Sequence, residues 1–152
     1  MRAFVCAGAG FLLAVVWFDL MFDVQVLRLA KGDAPDAAVT SIARYYRRVT
    51  SDARPMNRLV ALVMVAVLAG IVVELVRDSV PAWVGWTSLV LALAPITLAA
   101  RRTVRNAVRL GAEALDTPTR AEHEQLARSV ARDHVFCFVS VACLVVVQLA
   151  GG

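Results

Sequence analysis

The sequence predicts an all-α polytopic membrane protein, a single domain folded as a four-transmembrane-helix antiparallel bundle with an amphipathic helix and extended helices on the cytoplasmic side. Three observations predict it. The 152 residues are 60% apolar with a positive mean hydropathy, where a soluble domain is roughly half apolar. Segments 3–27, 59–76, 82–100 and 135–150 approach or reach the ~20 residues that cross ~30 Å of hydrocarbon. The basic residues fall in alternate connections: Arg28, Lys31, Arg44, Arg47, Arg48, Arg54 and Arg58 before the second span, and Arg101, Arg102, Arg105, Arg109, Arg120, Arg128 and Arg132 before the fourth. The second-to-third link has only Arg77. The positive-inside rule then places both long connections (33–54 and 101–132) in the cytoplasm and both termini outside, in a plasma (inner) membrane. The net charge of +4 reads as topology and affinity for membrane lipids, with no nucleic acid as partner.

The first span follows Arg2 but is longer than the apolar core of a signal peptide, and it ends in Asp23 rather than a small-residue cleavage site. It is expected to be retained. Ala3, Cys6, Ala7, Gly10 and Ala14 put small residues at four-residue spacing along it, and Ala66 and Gly70 repeat the device in the second span. Such faces let helix backbones approach closely and point to a homo-oligomer or a partner membrane subunit.

Gly32 breaks the helix after Arg28, and Asp33, Pro35 and Asp36 supply a helix start. From there Val39, Ile42, Tyr46 and Val49 recur at three- and four-residue steps, with the arginines largely outside that stripe. This amphipathic helix is expected either in the inner headgroup layer or folded up beneath the bundle. Pro55 restarts the chain into the second span, near whose outer end Glu74 is read as an ion pair with Arg77 at the headgroups.

Pro81, Trp83 and Trp86 mark the outer edge of the third span. Pro95 is expected to bend it. The helix is expected to run on to about Leu115, to stop at Asp116, Thr117 and Pro118, and to restart there towards the fourth span, with His123 solvated. In the fourth span Cys137, Ser140 and Gln148 form a mildly polar stripe that should face the bundle. Cys6, Cys137 and Cys143 lie within spans without paired spacing, and are read as buried, inert thiols.

The functional candidates sit at the inner ends of the first and fourth spans. Asp19 and Asp23 stand four residues apart inside an apolar run, so both carboxylates share one helix face at a depth where an unpaired charge is expensive. With Gln25, Asp133 and His134 they are expected to converge near Arg58, Arg101 and Arg102. Three readings follow. The acids pair with arginines and lock the bundle. Alternatively, Asp19, Asp23 and His134 hold a divalent metal such as manganese, iron or zinc. In the third, His134 acts as general acid or base on a lipophilic small-molecule ligand, with a carboxylate such as Asp133 orienting it. No phosphate-binding glycine loop, nucleophile elbow, two-cysteine motif or paired haem histidines are present, and the mid-membrane lacks a charged relay for transport.

The layout of a first span, a helical connector from Asp36 to Ser51, Pro55 before the second span and the run Asp133, His134, Val135 at the fourth resembles the anthrone-oxygenase-like family of small four-helix membrane proteins. That resemblance implies oxidation of polycyclic aromatic substrates, with His134 alone carried over; the family commonly has asparagine and arginine where this chain has Asp133 and Phe136. The resulting expectation is a small membrane-embedded enzyme or binding protein for a lipophilic molecule. Its alternative is a non-catalytic oligomeric bundle or an accessory subunit of a larger membrane complex, in which the same polar residues are structural.

Overall fold

A computed structural model describes residues 1–28, 30, 32, 34–52, 54–111 and 120–151. The described residues form six α-helices and no strands: α1 (Arg2–Leu27), α2 (Asp36–Arg47), α3 (Arg54–Val76), α4 (Ala82–Leu98), α5 (Val104–Gly111) and α6 (Arg120–Ala150). Five-residue π-helical turns follow α2 (Arg48–Asp52) and join α4 to α5 (Ala99–Thr103). Four stretches are long and apolar enough to cross a membrane: Arg2–Leu27, Pro55–Val76, Ala82–Gly111 and Ala121–Ala150. The chain is an all-α polytopic membrane protein.

The four spanning helices pack in a ring, α1 against α3 and α6, and α4 against α3 and α6. Between them lies an apolar core of Val5, Ala9, Leu12, Val67, Ile71, Ala92, Val141 and Leu144. Small residues set the α1–α3 spacing: Gly70 of the pair expected in the second span, but Gly8 rather than the stripe expected along the first. A Cβ on Gly8 would meet Val67 Cγ2 at 2.5 Å and one on Gly70 would meet Val5 Cγ2 at 2.9 Å, whereas Ala3, Ala7, Gly10 and Ala14 are exposed.

A second core lies at the arginine-rich end, built from Val26, Ala34, Val39, Ile42, Tyr46, Ala107, Leu110, Ala127, Val130 and Ala131. It shows where α2 goes. Three members of the amphipathic stripe, Val39, Ile42 and Tyr46, are buried against α5 and α6, so this helix folds beneath the bundle. Gly111 makes the approach feasible, since a Cβ there would lie 2.6 Å from the Arg47 backbone nitrogen. The π-helical turn after α2 is pinned at both ends: Thr50 Oγ1 donates to the Tyr46 carbonyl at 2.7 Å and Asn57 Nδ2 to the Val49 carbonyl at 2.7 Å.

The turn into α2 is fastened from α6. Glu124 accepts from the Gly32 N–H at 2.9 Å and from Arg128 Nε at 2.8 Å, while Arg128 donates to the Ala30 carbonyl at 2.6 Å. Gly32 takes φ +94°, a left-handed conformation that suits a residue without Cβ. Pro35 flanks α2, and Asp36 in its first turn complements the helix dipole. Asp33, the expected cap, lies outside the described residues, as do Leu115, Asp116, Thr117 and Pro118.

α3 ends in a left-handed cap at Asp78 (φ 49°), with the Ser79 N–H bonded to the Glu74 carbonyl at 3.1 Å. Buried Pro95 lies in the last turn of α4, and the π-helical turn begins four residues later. A missing N–H in the ladder and a π-helical turn are both recognised causes of helix bending.

Candidate functional site at the arginine-rich ends of the first and last spans

α1 crosses the bundle and brings Asp19 and Asp23 to the arginine-rich end, where α6 enters it and α2 folds underneath. Asp23 is fully buried. Its Oδ2 lies 2.7 Å from His134 Nδ1, and the Tyr46 hydroxyl donates to Asp23 at 2.9 and 3.0 Å from the two oxygens. The same hydroxyl stands 3.1 Å from His134 Nδ1. A carboxylate that is ionised only accepts, so opposite an ionised Asp23 this short contact calls for a proton on His134 Nδ1. On the other side of the imidazole, Nε2 lies 3.9 Å from Asp19 Oδ2, and the Tyr45 hydroxyl donates to Asp19 Oδ1 at 2.6 Å.

Each acid therefore has its own tyrosine, and one imidazole lies between the two carboxylates. The rings hold one another in place. Tyr45 stacks on Phe22 with centroids 4.0 Å apart and meets Tyr46 edge-on at 5.3 Å. Burial, then the neighbouring carboxylates, push both phenols well above their ordinary range: Asp19 before Asp23 for Tyr45, Asp23 before Asp19 for Tyr46. Each hydroxyl is thereby kept as a donor.

Asp19, Asp23 and His134 thus come together, and Asp133 does not join them. Consecutive residues on an α-helix point about 100° apart, so Asp133 faces the π-helical turn between α4 and α5. It is bound there by Arg102, whose Nε lies 3.1 Å away, and by Thr103 Oγ1 at 3.0 Å. Arginine pairing is realised at Asp133, while Asp19 and Asp23 take tyrosine and histidine instead. Gln25 and Arg58 are exposed. Among the described residues no group of three or more His, Cys, Asp or Glu side chains is arranged to hold a metal ion; both Asp23 oxygens already accept from protein donors. Tyr45 and Tyr46 are the members of the cluster that the spacing of the acids does not disclose. Their signal was two adjacent phenols on an amphipathic helix next to acids in need of donors.

A second polar centre lies at the opposite end, where the sequence suggested only a surface ion pair. Glu74 is fully buried within the bundle and bonded to Gln148 rather than paired with Arg77, which is exposed. The polar stripe of α6 does face inward, and Gln148 Nε2 reaches across the ring to Glu74 Oε2 at 3.0 Å and to Ser88 Oγ at 3.1 Å. Glu74 Oε1 and Gln148 Oε1 are buried with no partner among the described residues. The cysteines also divide, with Cys137 buried, Cys6 half-buried and Cys143 exposed, so the expectation of three buried thiols holds only for Cys137.

Residues 1–151 match a family, SHR3 chaperone, described as ER membrane protein SH3. No curated protein and no solved structure matches the chain. The family match overturns the resemblance to the anthrone-oxygenase-like family, which therefore lends no support to a role for His134. A four-span layout follows from bilayer crossing alone, and with one histidine at the head of the last span it does not discriminate between families. The description also corrects the expected plasma (inner) membrane location, since the membrane it names is that of the endoplasmic reticulum. Nearly the whole length of the chain lies within the match, and the chain belongs to the SHR3 chaperone family of ER membrane proteins.

Proposed function

We propose that the chain is a non-catalytic accessory protein of the endoplasmic reticulum membrane, a chaperone for other multi-span helical proteins, with both arginine-rich connections on the cytosolic side. The description of its family supports this reading. The observation that carries it is the closed state of the polar cluster. Fully buried Asp23 has both oxygens engaged by Tyr46 and its neighbour His134 in direct contact, so these groups act as a latch holding α2 against α1 and α6. A buried, mutually satisfied network of this kind rigidifies a bundle. The outward faces meanwhile expose large apolar side chains, Trp17, Phe18 and Met21 on α1 and Trp86 and Val90 on α4, to lipid or to the spans of a client.

The test is co-reconstitution with an aggregation-prone multi-span helical protein in liposomes. The expected result is a higher fraction of monodisperse, folded client in the presence of the chain, and a smaller gain with Asp23→Ala, which frees α2. Client folding that is indifferent to an excess of the intact chain would overturn the proposal.

A further inference from the structure

An open groove of about 530 Å³ runs along the outside of α4 and α6, lined by Ala94, Thr97, Leu98, Arg101, Arg102 and Phe136. Its two ends differ in chemistry. Ala94, Leu98 and Phe136 are apolar, and Thr97 turns its hydroxyl onto the Leu93 and Ala94 carbonyls at 2.8 and 2.9 Å, which leaves no free donor on that wall. The guanidinium groups belong to the other end. Seven residues separate Ala94 from Arg101, about 10 Å of helix, so an apolar trough of that length leads up to the positive charge.

That charge is not neutralised locally. Arg102 is matched by Asp133, whose side chain is 2% exposed. Exposed Arg101 has no acidic partner among the described residues, and its backbone carbonyl is occupied by Arg105 Nε at 2.7 Å. Two guanidiniums thus face one buried carboxylate, leaving a surplus positive charge at the head of an apolar trough on the outer face of the bundle.

We propose that this groove is a binding site for one anionic phospholipid, its phosphate on Arg101 and the free edge of Arg102, and an acyl chain along Leu98 and Phe136. The charge complementarity selects the headgroup. The trough selects a lipid over a free phosphate. Basic pockets between membrane helices recognise anionic headgroups through this combination. The site is separate from the Asp19, Asp23 and His134 cluster, on the opposite face of α6, and does not depend on the chaperone reading.

The full chain in nanodiscs of phosphatidylcholine doped with phosphatidylglycerol is the material for the test, with lipid retained after extraction read by native mass spectrometry. Wild type is expected to retain phosphatidylglycerol in preference to phosphatidylcholine. Arg101→Gln is expected to lower that retention about fivefold, while Arg101→Lys keeps most of it and Arg77→Gln, at the opposite end, keeps all of it. Inorganic phosphate at millimolar concentration is expected not to displace the lipid. Helical circular dichroism verifies that each variant is folded. Equal retention by wild type and Arg101→Gln, no preference over phosphatidylcholine, or displacement by inorganic phosphate would each overturn the proposal.

Discussion

Asp23 and His134, separated by 111 positions in the chain, meet at 2.7 Å between the end of α1 and the middle of α6, and the Tyr46 hydroxyl of α2 closes the contact from below. One buried carboxylate thereby ties three helices together, two of them spanning. Removing it takes the shared partner from a phenol and an imidazole in a buried site, which is where truncating a charged partner is most costly. Asp23→Ala is expected to destabilise the bundle by about 3 kcal/mol, and Tyr46→Phe by about 1–2 kcal/mol. Unfolding in mixed micelles measures both. Because the two groups share bonds, the double variant should be at least ~1 kcal/mol less destabilised than the sum of the two. Additivity would place them in separate environments.

The two tyrosines make the same latch sensitive to alkali. An unperturbed phenol titrates near pH ~10. Burial first, and then the Asp19 and Asp23 carboxylates, raise both phenols above that value in the folded protein. A group whose folded pKa is raised stabilises fully below its unfolded pKa and loses that contribution as pH rises towards the folded one. Stability should therefore be level with respect to these groups below about pH 10 and fall above it. The comparison is between wild type and the Tyr45→Phe, Tyr46→Phe double variant, whose alkaline slope should be shallower. Parallel slopes would mean that the phenols are not held neutral by the fold.

The sequence discloses the fold through quantities that a bilayer makes absolute. Apolar length sets the four spans, and the period of Val39, Ile42 and Tyr46 sets the buried face of α2. What it leaves open is rotation about each helix axis and the identity of the facing surface. Asp133 and His134 are neighbours in the chain and point to different helices, because one residue step turns the side chain by about 100°. Tyr46 is legible as a stripe residue, but its hydroxyl partner is not: a stripe shows which face is covered and nothing of what covers it. Asp19 and Asp23 are conspicuous because a carboxylate is costly at that depth, so half of the cluster can be read from cost alone. Glu74 is misread from the same kind of cue. Its nearness to a helix end suggests hydration, yet its face of α3 turns inward towards α4 and α6.

Glu74 and Gln148 give the last expectation, and here the sign is less obvious than the size. The amide of Gln148 donates to Glu74 Oε2 at 3.0 Å and to Ser88 Oγ at 3.1 Å, while one oxygen on each of Glu74 and Gln148 stays buried without a partner among the described residues. Two unpartnered acceptors across one contact represent a donor deficit, and a buried polar group without a partner costs about 1–3 kcal/mol. Glu74→Gln keeps the volume and replaces one carboxylate oxygen with an NH2 group, which supplies the missing donor to Gln148 Oε1. It should therefore stabilise the bundle by about 1 kcal/mol. Glu74→Ala removes the acceptor for Gln148 Nε2 and opens a cavity, and should destabilise by about 2 kcal/mol. Arg77→Gln, on the exposed turn beyond, should leave the midpoint unchanged within ~0.5 kcal/mol. Thermal unfolding of the three variants in one detergent decides the matter: a lower midpoint for Glu74→Gln than for wild type would mean that the carboxylate already has its full set of donors.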